Sequence, residues 1–147
     1  MSNKAVCRRI GAASFLLGMS LAVAAWCSAM LLLLQYGIVG GHFAREWLDY
    51  AFWVFGIPVG VAFYRFTPRR LQDLNCPGKW SRYLIIPFIG IIVLPVLCFM
   101  SGERLSNDFG DPPEPSGWLK RGAALVSFVL ALLLFRAVMV CYQQVSL

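Results

Sequence analysis

From Ile10 to Gln35 the chain runs twenty-six residues without a charge. About twenty apolar residues suffice to cross a bilayer, so this run spans one with some tilt. A signal peptide is the competing reading, because Lys4, Arg8 and Arg9 precede the run and Cys27-Ser28-Ala29 offers small residues for cleavage. The apolar stretch continues through Met30 to Leu34, well past an ordinary signal h-region, and the expectation is a retained first helix. Ser14, Gly18 and Ala22 recur every fourth residue on it, which puts a flat stripe where a second helix can approach closely.

Composition extends this reading to the whole chain. Of 147 residues, 59% are hydrophobic and 14% charged, where a soluble domain carries about a quarter charged. Lipid is then the solvent for most side chains, in one membrane domain covering residues 1–147. Four helices are expected, at about 10–35, 47–66, 83–102 and 122–142. The second contains Gly56-Ile57-Pro58-Val59-Gly60, which reads as a packing kink or as an unwound site of the transporter kind. The third is interrupted by Pro87 and Pro95. A kinked span is preferred there to a re-entrant hairpin, because backbone polar groups at a hairpin tip must be shielded by protein.

The net charge of +6 is gathered at the ends of the apolar runs, which marks topology and not a nucleic-acid face. The amino-terminal tail carries three basic residues and the stretch Arg65–Arg82 five, against one in the loop after the first helix and three between Gly102 and Arg121. With Arg136 assigned to the carboxyl-terminal side, the division is nine against four. Both termini are then expected in the cytoplasm, and the acidic loop Glu103–Pro115 outside.

Chemistry-bearing residues are few. The single His42 reads as an interfacial loop residue, and Cys7, Cys27, Cys76, Cys98 and Cys141 lack metal or redox spacing. No cofactor, metal site or catalytic set is expected. Arg70 and Asp73, three apart, share a helical face and can pair. Arg69, Arg70, Lys79 and Arg82 with Trp80 form a basic, aromatic loop that attracts anionic headgroups, although the same charges can serve only to fix topology. Asn107, Asp108, Phe109 and Gly110, followed by Pro112-Pro113, read as a tight ordered turn outside the membrane, a docking point for a partner. Arg136 within the last helix either snorkels to the interface or is paired, Asp73 being the carboxylate expected on the same side.

Arg70-Leu71-Gln72-Asp73, Pro77-Gly78-Lys79-Trp80, Ile86-Pro87-Phe88-Ile89-Gly90 and Asn107-Asp108-Phe109-Gly110-Asp111-Pro112-Pro113 occur in this order. In that order they resemble the motifs of the YhaH-type family of small bacterial inner-membrane proteins, built on domain of unknown function 805. Gln72 stands where that pattern has histidine, and the fourth helix is an addition to it. The resemblance implies a multi-pass protein of the bacterial inner membrane and supplies no catalytic residues. The expected fold is all-α with four transmembrane helices and both termini cytoplasmic. The expected role is non-enzymatic: an accessory, assembly or immunity-type partner of another membrane protein, or a homo-oligomer. A small oligomeric transporter or channel is the alternative, and an interfacial lipid-modifying enzyme the third.

Overall fold

The computed structural model describes residues 9–41 and 46–146. Lys4, Cys7, Arg8, His42 and Arg45 therefore lie outside the described residues. Four α-helices form: α1 (Ala12–Leu32), continued by a π-helical stretch Leu33–Val39; α2 (Trp47–Asp73); α3 (Pro87–Phe99); and α4 (Trp118–Ser146). A 3₁₀ segment, Gly78–Ile85, precedes α3. By length and composition, Ala12–Val39 and Trp118–Gln144 can each cross a membrane, and the bent pair Gly78–Ile85 and Phe88–Phe99 is long and apolar enough only if its two limbs are taken together.

Side-chain contacts fix the helix directions. Gly18 on α1 faces the Phe66 ring of α2; a Cβ there would come within 2.8 Å of the ring. Further along, the Trp26 ring meets Phe52 edge to face at 5.3 Å, so α1 and α2 are antiparallel. The small-residue stripe expected on α1 is thus used at Gly18. Between α1 and α4 the pairs run the other way. Ser20 Oγ and Ser127 Oγ lie 2.6 Å apart, Trp26 stacks on Phe135 at 6.5 Å, and Gln35 Nε2 donates to Cys141 Sγ at 3.8 Å. These helices are parallel. Ala124, Ser127, Ala131 and Val138 are the buried positions of α4, a stripe of helical period that lies against α1. The described chain therefore starts and finishes at opposite ends of the bundle, whereas four alternating spans require both termini at one end.

The reason lies between α2 and α4. Helix α2 runs through Pro58 and Pro68 without a break and stops in a Schellman turn. Asn75 takes the left-handed conformation (φ 57°), and the amides of Asn75 and Cys76 donate back to Gln72 and Leu71. Pro77 then bars further helix. At Ile86 the backbone is extended, as a residue before proline prefers, and Pro87 opens α3 from its first turn. The chain turns 118° there. Gly90 permits the fold-back, since a Cβ would sit 2.5 Å from the Leu84 carbonyl oxygen. Helix α3 has 13 residues, about 20 Å of rise, short of the roughly 30 Å hydrocarbon core. Gly78 packs on Pro68, and the carbonyls of Leu97 and Met100 accept from Arg70. Both limbs of the bent segment thus sit at the same end of α2, where Leu84 and Leu97 join Phe15 and Leu71 in one buried cluster. In place of one continuous helix over 83–102, the chain forms the 3₁₀ segment and α3, joined at this bend.

Candidate functional site: a buried arginine–aspartate–arginine clasp

Asp73 is the last residue of α2 and is 1% exposed. Two arginines enclose its carboxylate. Arg70, one turn earlier on α2, donates through Nη1 to Oδ2, the pairing expected from their spacing. Arg9, just ahead of α1, donates through Nε and Nη2 to Oδ1, at 3.2 and 3.1 Å. A carboxylate removed from water is tolerated only with such charge-assisted partners.

Each arginine then spends its remaining donors on backbone. Arg70 Nε reaches the Leu97 carbonyl at 2.8 Å and Nη2 the Met100 carbonyl, which satisfies the exposed carboxyl-terminal turn of α3. Arg9 Nη2 reaches the Glu103 carbonyl at 2.7 Å, and Nη1 reaches those of Leu105 and Gly110 at 3.0 and 2.9 Å. The Glu103 amide donates to the Asp73 carbonyl at 3.0 Å. Gly102 lies so close to the carboxylate that a Cβ would overlap it. One carboxylate and two guanidinium forks therefore join the start of α1, the end of α2, the end of α3 and the loop beyond. The rigid planar fork of arginine suits such multi-point contact, and lysine does not.

The acidic loop docks on the same clasp. Asn107 Nδ2 donates to the Gln72 carbonyl at 2.9 Å. Asn107 Oδ1 accepts from the Phe109 amide at 3.0 Å, and Asn107 and Gly110 exchange backbone hydrogen bonds at 3.1 Å, with Gly110 at φ 120°. The tight turn expected over 107–110 is present. Its expected position is not: the turn rests on α2 beside Asp73 and does not lie across the bundle from it. Asp108 is likewise at the Asp73 end, which corrects the expectation that these two carboxylates occupy opposite faces.

The other candidate residues divide by exposure. Arg70 and Asp73 are enclosed, Arg69 is half-buried, and Lys79, Trp80 and Arg82 point outward from the 3₁₀ segment. Asp108 is exposed, while Asn107 and Phe109 are half-buried in the turn. Arg136 is exposed on α4 next to Phe135, which stacks on Trp26, far along the bundle from Asp73. The pairing of Arg136 with Asp73 is thereby overturned, since Asp73 is held by Arg9 and Arg70. Sequence reasoning missed Arg9, which it took for a topology signal, and Gly102. A usable signal existed: Asp73 is the only acid in the basic stretch 65–82.

The family described as "Protein of unknown function (DUF805)" matches residues 6–111, from just before Arg9 to just past the 107–110 turn. The chain is similar to "Inner membrane protein YhaH" of Escherichia coli strain K12, with 31% identity over 61 residues, 42% of this chain and 50% of that protein. The same figures hold for the protein of that name in Escherichia coli O157:H7. The chain spans about half the length of the curated relatives it matches. No solved structure matches.

Proposed function

The chain belongs to the DUF805 family, and on that premise we propose that it is a three-crossing inner-membrane protein acting as an accessory or interaction partner of other membrane components. In this reading α1, α2 and α4 cross. Helix α2, at 27 residues, is about 40 Å long and antiparallel to α1. Residues 74–117 form a folded platform on the cytoplasmic face, and the carboxyl terminus emerges on the other side.

The observation that carries the reading is the return of residues 78–110 to the Arg9–Asp73–Arg70 clasp. Basic residues agree with it. Among the described residues, every Lys and Arg except Arg136 falls toward the clasp end, nine against one. That is a steeper positive-inside bias than the four-span arrangement yields. The platform presents Lys79, Trp80 and Arg82 outward, suited to anionic headgroups and to the acidic surface of a partner. Asp73 is unsuited to acid–base work, because both its oxygens are held by guanidinium groups. An accessory role therefore fits this end of the molecule better than catalysis.

Two measurements test the proposal. Alkaline phosphatase fused after Leu147 is expected to be active and the same reporter fused at Ser106 inactive; the reverse pattern defeats the placement. Purification from native membranes in mild detergent is expected to retain a stoichiometric membrane partner, and Lys79→Glu/Arg82→Glu to release it. A lone chain with no partner, before and after cross-linking, defeats the accessory role.

A further inference from the structure

Beyond the clasp, the packing of the bundle leaves a gap between α3 and α4. Helix α3 packs on α1 and on the 3₁₀ segment, and α4 packs on α1, but α3 and α4 barely touch each other. Between them lies a cavity of about 290 Å³, walled by Phe15 and Met19 of α1, Leu94 and Cys98 of α3, and Phe128 and Leu132 of α4. The lining is almost wholly apolar, so water is not its natural filling. Its volume is roughly twice the ~150 Å³ of an apolar cavity that stays dry and takes up benzene. Phe99 and Phe128 meet edge to face at 6.3 Å at the slot between the two helices.

Charge marks one end of this slot. Arg121 precedes Phe128 by seven residues, so it lies on the same face of α4, about 10 Å nearer the amino-terminal end of that helix. Arg121 and its neighbour Lys120 are both exposed, and Trp118 beside them is 80% exposed, as an interfacial aromatic would be. Exposed basic and aromatic residues two to three turns ahead of an apolar slot on the same helix match the two halves of one molecule.

We propose that this cavity binds a single anionic glycerophospholipid of the inner leaflet, with one acyl chain entering between α3 and α4 and the phosphate held at Arg121 and Lys120. The inference rests on the three-crossing placement above, which puts Arg121 at the cytoplasmic interface. It differs from headgroup attraction at Lys79–Arg82 in being one site of fixed stoichiometry with an apolar interior.

Native mass spectrometry of the full chain, extracted in mild detergent and titrated with phosphatidylglycerol or phosphatidylcholine, tests it. The wild type is expected to retain one phospholipid and to prefer phosphatidylglycerol. Leu132→Trp, which fills the slot from a half-exposed position, is expected to lower retention at least tenfold, while Leu130→Trp, outside the cavity on the same helix, leaves it unchanged. Arg121→Gln is expected to keep the lipid but to reduce the preference for phosphatidylglycerol roughly fivefold, the worth of one basic residue near an anionic surface. Equal retention in Leu132→Trp and Leu130→Trp overturns the cavity site, as does binding of several lipids with no discrete first one. Should Leu132→Trp fail to fold, alkylation of wild-type Cys98 read by peptide mapping gives the answer. Cys98 is expected to react at least tenfold more slowly with phosphatidylglycerol bound than in lipid-free detergent, and an unchanged rate overturns the proposal. The reporter fusion at Ser106 reports separately on the placement, so a failed topology and an empty cavity are told apart.

Discussion

Arg9 and Asp73 are separated by 64 positions and joined by two hydrogen bonds to one carboxylate oxygen, at 3.2 and 3.1 Å. The contact closes the antiparallel pair of α1 and α2 at one end and makes Arg9, three positions ahead of α1, a structural partner of the last residue of α2. With both side chains almost wholly removed from water, the fold depends on the charge balance of the group.

Asp73→Asn tests that dependence. It keeps the shape of the carboxylate and removes its charge, leaving two guanidinium groups enclosed against one amide. Breaking a buried ion pair by neutralising one partner costs about 3–5 kcal/mol, and the same loss is expected here. Arg69→Gln alters a half-buried neighbour on the same helix and is expected to stay within about 0.5 kcal/mol. Thermal unfolding in detergent compares the two. Similar melting temperatures for Asp73→Asn and wild type are incompatible with a structural clasp.

A smaller change probes the same carboxylate from the backbone side. Gly102→Ala puts a methyl group onto Asp73 Oδ2, an oxygen already held by Arg70, so the carboxylate or the loop must shift. Overpacking of this kind costs typically about 1–3 kcal/mol. Gly60→Ala is the matched comparison: it lies inside α2 with no atom near the new methyl, and alanine is favoured over glycine in a helix by up to about 1 kcal/mol. The two substitutions are expected to shift the melting temperature in opposite directions.

Legibility in the sequence follows the range of the interaction. Helices α1 and α4 stand out because each is set by a long local run of apolar residues, and the Arg70–Asp73 pair because it is one helical turn. The turn at 107–110 is likewise encoded locally, by Asn107 and Gly110. The bend at Ile86 is harder. A proline in an apolar run reads equally as a kink or as a break, and Gly90 against Leu84 decides only once the chain has folded back. Arg9 is the least legible of all. A positive charge before an apolar run signals topology in any membrane protein, and its contacts with Asp73, Glu103, Leu105 and Gly110 are all long-range. Misplacing the 100–117 loop followed from that, and with it the direction of α4.

Arg9→Lys separates charge from geometry. A lysine preserves the positive charge for topology and for Asp73 but cannot supply donors to three separate carbonyls as well. Leu105 and Gly110 are the contacts expected to fail. Each charge-assisted hydrogen bond lost is worth roughly 1.5–3 kcal/mol, so local opening of residues 103–110 is favoured by at least about 2 kcal/mol. Hydrogen exchange is expected to rise about thirtyfold or more at the amides of Asn107 and Gly110, which bond to each other across the turn. Exchange in the α1–α4 contact around Ser127 is expected to be unchanged. Uniform acceleration throughout the chain would mean that Arg9 acts on global stability and not on the loop.

The parallel run of α1 and α4 has a covalent test at the far end of the bundle. Gln35 Nε2 lies 3.8 Å from Cys141 Sγ, so Gln35→Cys places a second thiol beside a native one. A disulfide requires Cα atoms within about 7 Å, and only the parallel arrangement brings positions 35 and 141 to the same end of the bundle. With four alternating spans and both termini on one side, Gln35 ends its helix at the outer face and Cys141 ends its own at the inner face. The two then stand apart by about the thickness of the hydrocarbon core, roughly 30 Å. Oxidation of Gln35→Cys in native membranes is expected to yield the 35–141 linked peptide in high amount, identified by mass after proteolysis. Ser14→Cys, near the opposite end of α1, is expected to give no link to Cys141. Efficient linkage from position 14 with none from position 35 would reverse α4 relative to α1. The three-crossing placement, and the slot between α3 and α4, would go with it.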